Sequence, residues 1–281
     1  MSADAERTTG RTMTERTAAG TATTARTAAE LAQLANELLR CRETPDYAPA
    51  LNGLQVDNRT PVRCVAAAVD CSLRTIRGAV EAGANLLVVH HGLFWGGLQT
   101  LTGPHLERVR LLLEHDVALY AAHLPLDAHE TFGNSYLLAR KLGLEPSGGF
   151  ARYQTIFCGV EGSADLATAD LVAACDAFAR EHGGRATASA FDTARRTHRW
   201  GVVTGAGVNA DTLREAAELG LDTLITGEGP HWSAVDAEEK GLVIVYAGHY
   251  ATETLGVQAL AAWMATQGAV PWTFVAAPTG L

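Results

Sequence analysis

A chain of 281 residues fits one large domain or two modest ones, and a hydrophobic content of 47% gives it a sizeable core to bury. Its 22 basic and 31 acidic residues leave a net charge of −9, which argues against a general nucleic-acid binder, with its basic patch or stripe, but does not exclude a nucleotide-sized ligand. No run approaches the ~18 consecutive apolar residues of a membrane span.

The opening MSADAERTTGRT has no apolar signal-peptide core. It is rich in Arg and Thr, as transit peptides are, but Asp4, Glu6 and Glu15 oppose that reading, and the chain is expected to be cytoplasmic. Residues 1–26 have too few large apolar side chains to offset the entropy of ordering and are expected to form a disordered tail. Structure is expected from Thr27, which forms a T-x-x-E capping box with Glu30, followed by Leu31, Leu34 and Leu38 at helical spacing.

Strands and helices then alternate. VRCVAAAVD (62–70) reads as a strand, and Leu73, Ile76 and Val80 mark one face of a helix. NLLVVHH (85–91) is a second strand, and HLERVRLLLEH (105–115) is a helix expected to turn Leu106, Val109 and Leu113 inward. VALYAAH (117–123) is a third strand and NSYLLARKLG (134–143) a helix. These strands are continuous apolar runs, as expected where helices cover both faces of a sheet. Residues 144–154, with Pro146, Gly148 and Gly149, read as a junction. Beyond it, strands are expected near 155–160, 199–204, 222–226, 242–247 and 272–276, and helices near 165–182, 210–220, 231–240 and 251–267. The pattern predicts an α/β protein with an N-terminal lobe over 27–145 and a C-terminal lobe over 146–281. The low charge of 251–267 predicts a helix buried on more than one side.

Ligands of open α/β sheets bind outside the carboxyl ends of strands. Polar residues gather there in this chain. The second strand delivers His90 and His91, and the third delivers His123, Asp127 and His129 in HLPLDAH. Later strands deliver Glu228 and His231 in TGEGPH, then His249 and Glu253 in AGHYATE. Of ten histidines, His90, His91, His123, His231 and His249 sit at or just beyond apolar runs, a placement that scattered surface histidines would not favour. Neighbouring side chains of a strand point to opposite faces. His90 and His91 therefore reach one ion only if the backbone turns at Gly92, or else each serves one member of a metal pair. His249 and Glu253, at i and i+4, share one face of a helix start, although a helix cap would use the same spacing. Asp127, after Pro125, offers a carboxylate able to bridge two cations. Imidazoles with carboxylates suit Zn, Fe, Mn or Ni. The scattered Cys41, Cys64, Cys71, Cys158 and Cys175 form no CxxC pair and are read as reduced thiols with no metal role. The ligand supply exceeds what one closed tetrahedral site needs, as a two-metal site requires.

A competing reading is a dinucleotide site. GAGVNA (205–210) matches G-x-G-x-x-G/A after a strand, with Glu228 about 20 residues on. It explains none of His90, His91, Asp127, His249 or Glu253.

DYAPALNGLQVD (46–57), VVHHGLFWGG (88–97), HLPLDAHETFGNS (123–135), TGEGPH (226–231) and AGHYATE (247–253), in that order, resemble the Nif-three-like family. Its members are also labelled dinuclear-metal-centre hexameric proteins or GTP cyclohydrolase 1 type 2 homologues. The resemblance runs from Thr27 to the C-terminus and is to the short bacterial subgroup, which lacks a domain inserted mid-chain. It implies a two-lobed protomer, a toroidal homohexamer and two divalent metals per protomer between the lobes. The implied metal ligands are His90, His91, Asp127, His249 and Glu253, with Asp127 and Glu253 the candidates for bridging. His123 is the implied catalytic, proton-transferring residue beside the metals, with Glu228 and His231 lining the site. The reading is a metal-dependent hydrolase that acts on a small molecule through a metal-bound hydroxide. The alternative is a non-catalytic metal-binding, delivery or scaffold protein with the same ligands.

Overall fold

Val65, Ala67, Leu86 and Val88 face one way from two neighbouring strands, and Ala66, Ala68, Leu87 and Val89 face the other, all fully buried. A strand apolar on both faces must be covered on both. The computed structural model, which describes residues 25–281, shows how. The expected tail at 1–26 lies outside the described residues except for Ala25 and Arg26.

The first half of the chain runs α1 (Ala28–Leu38), a 3-10 turn (Ala48–Ala50), β1 (Gly53–Val56), β2 (Val65–Asp70), α2 (Leu73–Glu81), β3 (Leu86–His91), α3 (Gly103–Glu114), β4 (Ala118–Ala121), α4 (Leu124–Asp127) and α5 (Asn134–Lys141). The second half runs β5 (Gly148–Tyr153), β6 (Ile156–Ala167), α6 (Thr168–Glu181), β7 (Thr187–Ala188), β8 (Arg196–Val203), α7 (Ala210–Glu218), β9 (Thr223–Thr226), α8 (His231–Glu239), β10 (Val243–Tyr246), α9 (His249–Thr252), α10 (Thr254–Gly268) and β11 (Trp272–Phe274). The Thr27–Glu30 capping box forms at the start of α1, with the Thr27 N–H donating to Glu30 Oε2 at 2.8 Å and the Glu30 N–H to Thr27 Oγ1 at 3.2 Å.

Two mixed sheets result. The first has the order β1-β4-β3-β2-β11, parallel except for β1. α1 and α10 cover one face and α2 and α3 the other. The second has the order β5-β6-β8-β9-β10-β7, with β8, β9 and β10 parallel at its centre. α5 and α6 cover one face, and α7 and α8 the other. The C-terminal segment, expected with the second lobe, returns to the first: β11 pairs with β2, and α10 packs Val257, Leu260 and Met264 against the first sheet. Residues expected as a junction supply β5, whose partner β6 runs on through the expected helix start to Ala167.

α3 corrects the expected inward face. Its buried residues are His105 and Leu112, with Val109 partly covered, whereas Leu106 and Leu113 are 41% and 57% exposed. The last turn carries three consecutive leucines, so spacing alone does not choose among neighbouring faces; contact with α2 and the sheet selects 105, 109 and 112. Leu112→Ala should therefore cost about 2–5 kcal/mol in urea denaturation, and Leu113→Ala no more than about 0.5 kcal/mol. The reverse order would contradict this packing.

Candidate metal centre

His90 and His91 end β3 beside Asp70, which ends β2, with Asp70 and His91 in register. Their rings lie 4.9 Å apart, tilted by 51°. The two Nε2 atoms approach different oxygens of one carboxylate: His90 Nε2 is 3.6 Å from Glu253 Oε1, and His91 Nε2 is 3.6 Å from Glu253 Oε2. No backbone turn at Gly92 is needed. Gly92 instead makes room for Gln55, whose Nε2 would lie 2.3 Å from a Cβ there and whose Oε1 accepts the Leu93 N–H at 2.8 Å.

The second sheet brings the other side of the site. His249 opens α9 after β10, and its Nε2 lies 3.1 Å from Glu253 Oε2. The expected i, i+4 placement holds, but the helix is broken: Glu253, at φ −104° and ψ 5°, ends α9 and precedes α10. Thr252 stabilises this turn, its hydroxyl donating to the His249 carbonyl at 3.0 Å and accepting the Gly205 N–H at 3.1 Å. Gly205, at φ +62°, passes so close that a Cβ would lie 2.1 Å from Glu253 Oε1. Asp127, at the end of α4, places Oδ2 3.4 Å from His90 Nε2, while Asn134 Nδ2 donates to its Oδ1 at 2.9 Å.

Every imidazole in the cluster is held by its outer nitrogen. His90 Nδ1 donates to the Ala122 carbonyl at 2.8 Å, His91 Nδ1 to Asp70 at 2.9 Å, His123 Nδ1 to Asp46 at 2.8 Å and His249 Nδ1 to Glu228 at 2.8 Å. Such partners fix the tautomer and leave each neutral ring with an Nε2 lone pair facing inward, as in metal-bound histidines. The inward atoms His90 Nε2, His249 Nε2 and Glu253 Oε2 are buried and have no hydrogen-bond partner. Buried polar atoms are normally satisfied. An orphaned set of imidazole nitrogens and carboxylate oxygens is what a divalent cation would satisfy, so the residues fit one. Donor atoms of His90, His91 and His123 lie within 4.8 Å of one another, as do those of His91, His249 and Glu253.

The electrostatics are strongly perturbed. Burial pushes the Glu253 carboxyl up, but His90, His91 and His249 outweigh it and hold the group well below the usual range. Burial pushes His90 down, but Asp127 and Glu253 raise it well above 6.5. Burial likewise opposes His249, yet Glu253 and Glu228 raise it from 6.5 to about 9.

His123 lies at the edge of the cluster, its ring 4.9 Å from that of His90. Its partner Asp46 was not singled out in the sequence. Burial raises the Asp46 carboxyl, but hydrogen bonds from His123, Asn52 and the Tyr47 amide hold it below the carboxylate range. Asp70 and Asn134 were missed as well. An acid ending the strand beside His91 was a usable signal for Asp70; Asn134 left none. Two residues of the expected strand-end group stand apart. His231 is exposed at the start of α8 and does not line the site, and His129 accepts the Thr131 and Phe132 amides of its own loop, each at 3.2 Å. In the dinucleotide-like GAGVNA stretch, the Asn209 side chain accepts the first free amides of α7, and Glu228 is engaged by His249. All five cysteines are free. Cys158 nevertheless lines the cavity above the cluster, and burial keeps its thiol pushed up and protonated.

That cavity has a volume of about 520 Å³, within the range of small-molecule sites. Two mixed sheets whose carboxyl ends share a histidine–carboxylate cluster define an α/β protein with a candidate metal site. The Duf34/NIF3 (NGG1p interacting factor 3) family profile matches residues 26–278, and the chain belongs to that family. It is 43% identical over 258 residues to a Deinococcus radiodurans protein named GTP cyclohydrolase 1 type 2 homolog, covering 90% of this chain and 94% of that protein. Among solved structures, protein ybgI matches with a TM-score of 0.80 at 33% identity, over 91% of this chain and all (100%) of that one. A Thermus thermophilus protein, TTHA1606, matches at 0.76 and 35%, over 90% and 98%. Among the described residues no helix is long and apolar enough to cross a membrane.

The charge balance predicts proton release. Without metal, His249 holds a proton up to about pH 9, and a cation must displace it. Metal uptake at pH 7 should therefore release protons, and apparent affinity should rise with pH until about 9, as read by calorimetry in buffers of different ionisation enthalpy. Because the folded value is raised, the stability His249 adds to metal-free protein is complete below pH 6.5 and lost as pH rises through about 9. Uptake without proton release at pH 7 would contradict this charge balance.

Proposed function

We propose that the chain is a dinuclear divalent-metal protein acting as a metal-dependent hydrolase on a small molecule. One observation carries the reading: the two oxygens of Glu253 divide the cluster, Oε1 facing His90 and Oε2 facing His91 and His249. His90 and Asp127 would hold one ion, His91 and His249 the other, and Glu253 would bridge them. Asp127 is the weaker bridge, because Asn134 occupies its Oδ1. Zn, Fe, Mn or Ni suits this donor set. When bound, the ions would supply Lewis-acid polarisation and acidify water.

The chain's own residues do the rest. Asp46 holds the His123 ring through Nδ1–H, so that Nε2 could accept a proton from the attacking water and then pass it to the leaving group. Asp70 and Glu228 orient His91 and His249. The name carried by the Deinococcus relative supports a cyclohydrolase-like reaction. A homohexamer belongs to the same proposal, supported by the family resemblance and by exposed Leu98, Leu101, Leu106 and Leu113 along one stretch.

Elemental analysis of protein purified without a histidine tag should give about two transition-metal ions per chain, for a two-metal site. Glu253→Gln should lose both ions and keep the fold by circular dichroism. Glu228→Gln should weaken metal binding about 10–100-fold. His123→Asn should keep its metal and lose about 10²–10⁴ in turnover, measured in a hydrolysis screen that includes GTP. Metal retained at full occupancy in Glu253→Gln would rule out this ligand set. A loaded protein with no metal-dependent turnover across the screen would favour the non-catalytic metal-binding reading.

A further inference from the structure

Aromatic rings extend outward from the metal-site imidazoles. Trp95 meets His123 edge-on at 4.5 Å and lies 5.1 Å from His91. Tyr47 stands 6.5 Å from Trp95, and Tyr153 stands 5.1 Å from Tyr47. All three line the cavity, and Tyr47 and Trp95 remain 52% and 39% exposed. Holding metal ions does not require such a wall. Large rings kept partly exposed at a cavity gain most by covering a flat apolar surface.

Charge gives the second observation. Among the described residues, Arg152 is the one Arg or Lys lining the cavity, beside a surplus of carboxylates. Its Nε donates to the Gln154 carbonyl at 3.1 Å and its guanidinium sits 5.8 Å over the Phe157 ring, so the head is braced without a carboxylate partner there. In a regular strand Arg152 and Tyr153 would face opposite ways. Ala151, at φ +55°, interrupts the strand, and Ala151, Arg152 and Tyr153 all line the cavity where the strand ends. The α7 amides cannot serve an anion instead, because Asn209 accepts those of Asp211 and Thr212 at 2.9 and 3.0 Å.

We propose that this cavity takes a planar aromatic or heteroaromatic ring bearing an anionic group, with the face of the ring on Trp95, with Tyr47 and Tyr153 meeting its edge at an angle, and with the anion on Arg152. The proposal rests on the metal-hydrolase reading and names its substrate class.

The test is calorimetric titration of full-length, metal-loaded protein with AMP, adenosine and ribose 5-phosphate. AMP should bind at least tenfold more tightly than either fragment. Trp95→Ala should weaken AMP and adenosine tenfold or more and leave ribose 5-phosphate unchanged, with Trp95→Phe restoring most of the affinity. Arg152→Gln should weaken AMP and ribose 5-phosphate but not adenosine. AMP bound no more tightly than ribose 5-phosphate would overturn the inference. So would unchanged AMP affinity in Trp95→Ala, including a case where only the oligomeric state shifts. Metal content measured on the same samples separates the two claims: absent metal counts against the site itself, and full metal without ring preference counts against the substrate class alone.

Discussion

A carboxylate with 4% of its surface exposed, facing three imidazoles, is the constraint on which this structure turns. Burying Glu253 as a charge costs free energy that close partners must offset. Those partners come from both sheets: His90 and His91 from the first, His249 from the second. Glu253 also marks where the chain crosses between lobes. α9 follows the last parallel strand of the second sheet, and α10 carries its apolar face into the first. The helix break at Glu253 is therefore both the turn in the connection and the position of the central ligand candidate. Asn134 ties the same junction to Asp127, accepting the Gly256 N–H at 2.7 Å while donating to the carboxylate.

The sheets bring this convergence about. β2, β3 and β4 end together, as do β8, β9 and β10, and each end releases a polar side chain where no helix covers it. Burial then enforces precision. The outer nitrogens of His90, His91, His123 and His249 are occupied by Ala122, Asp70, Asp46 and Glu228, so the rings cannot turn to satisfy their inner ones. The inner atoms have only one another as partners, and a cation held there would take the place of the protons they share.

Much of this was legible in the sequence. His90, His91, Asp127, His249 and Glu253 all follow apolar runs, and the structure brings those five together. The central strands and the capped α1 were legible because burial on both faces and a capping box are local patterns. β1 and β5 were not, being short or glycine-containing. The inward face of α3 was not, because consecutive leucines offer several faces and only packing chooses one. Asp46 and Asn134 could not be found by spacing, since Asp46 meets His123 from 77 positions away. Partners that orient a ligand are set by tertiary contact and leave little periodic trace. Glu228 shows the converse hazard: it fits a dinucleotide motif in sequence, yet its carboxylate holds His249.

The most direct test of a bridging Glu253 is an anomalous difference map from crystals of metal-loaded protein, with data collected on either side of the metal's absorption edge. A bridging Glu253 predicts two peaks per chain, one beside His90 and Asp127 and one beside His91 and His249, separated by roughly 3.5–4 Å across its carboxylate. One peak centred among the imidazoles, or two peaks of which only one touches Glu253, would contradict it.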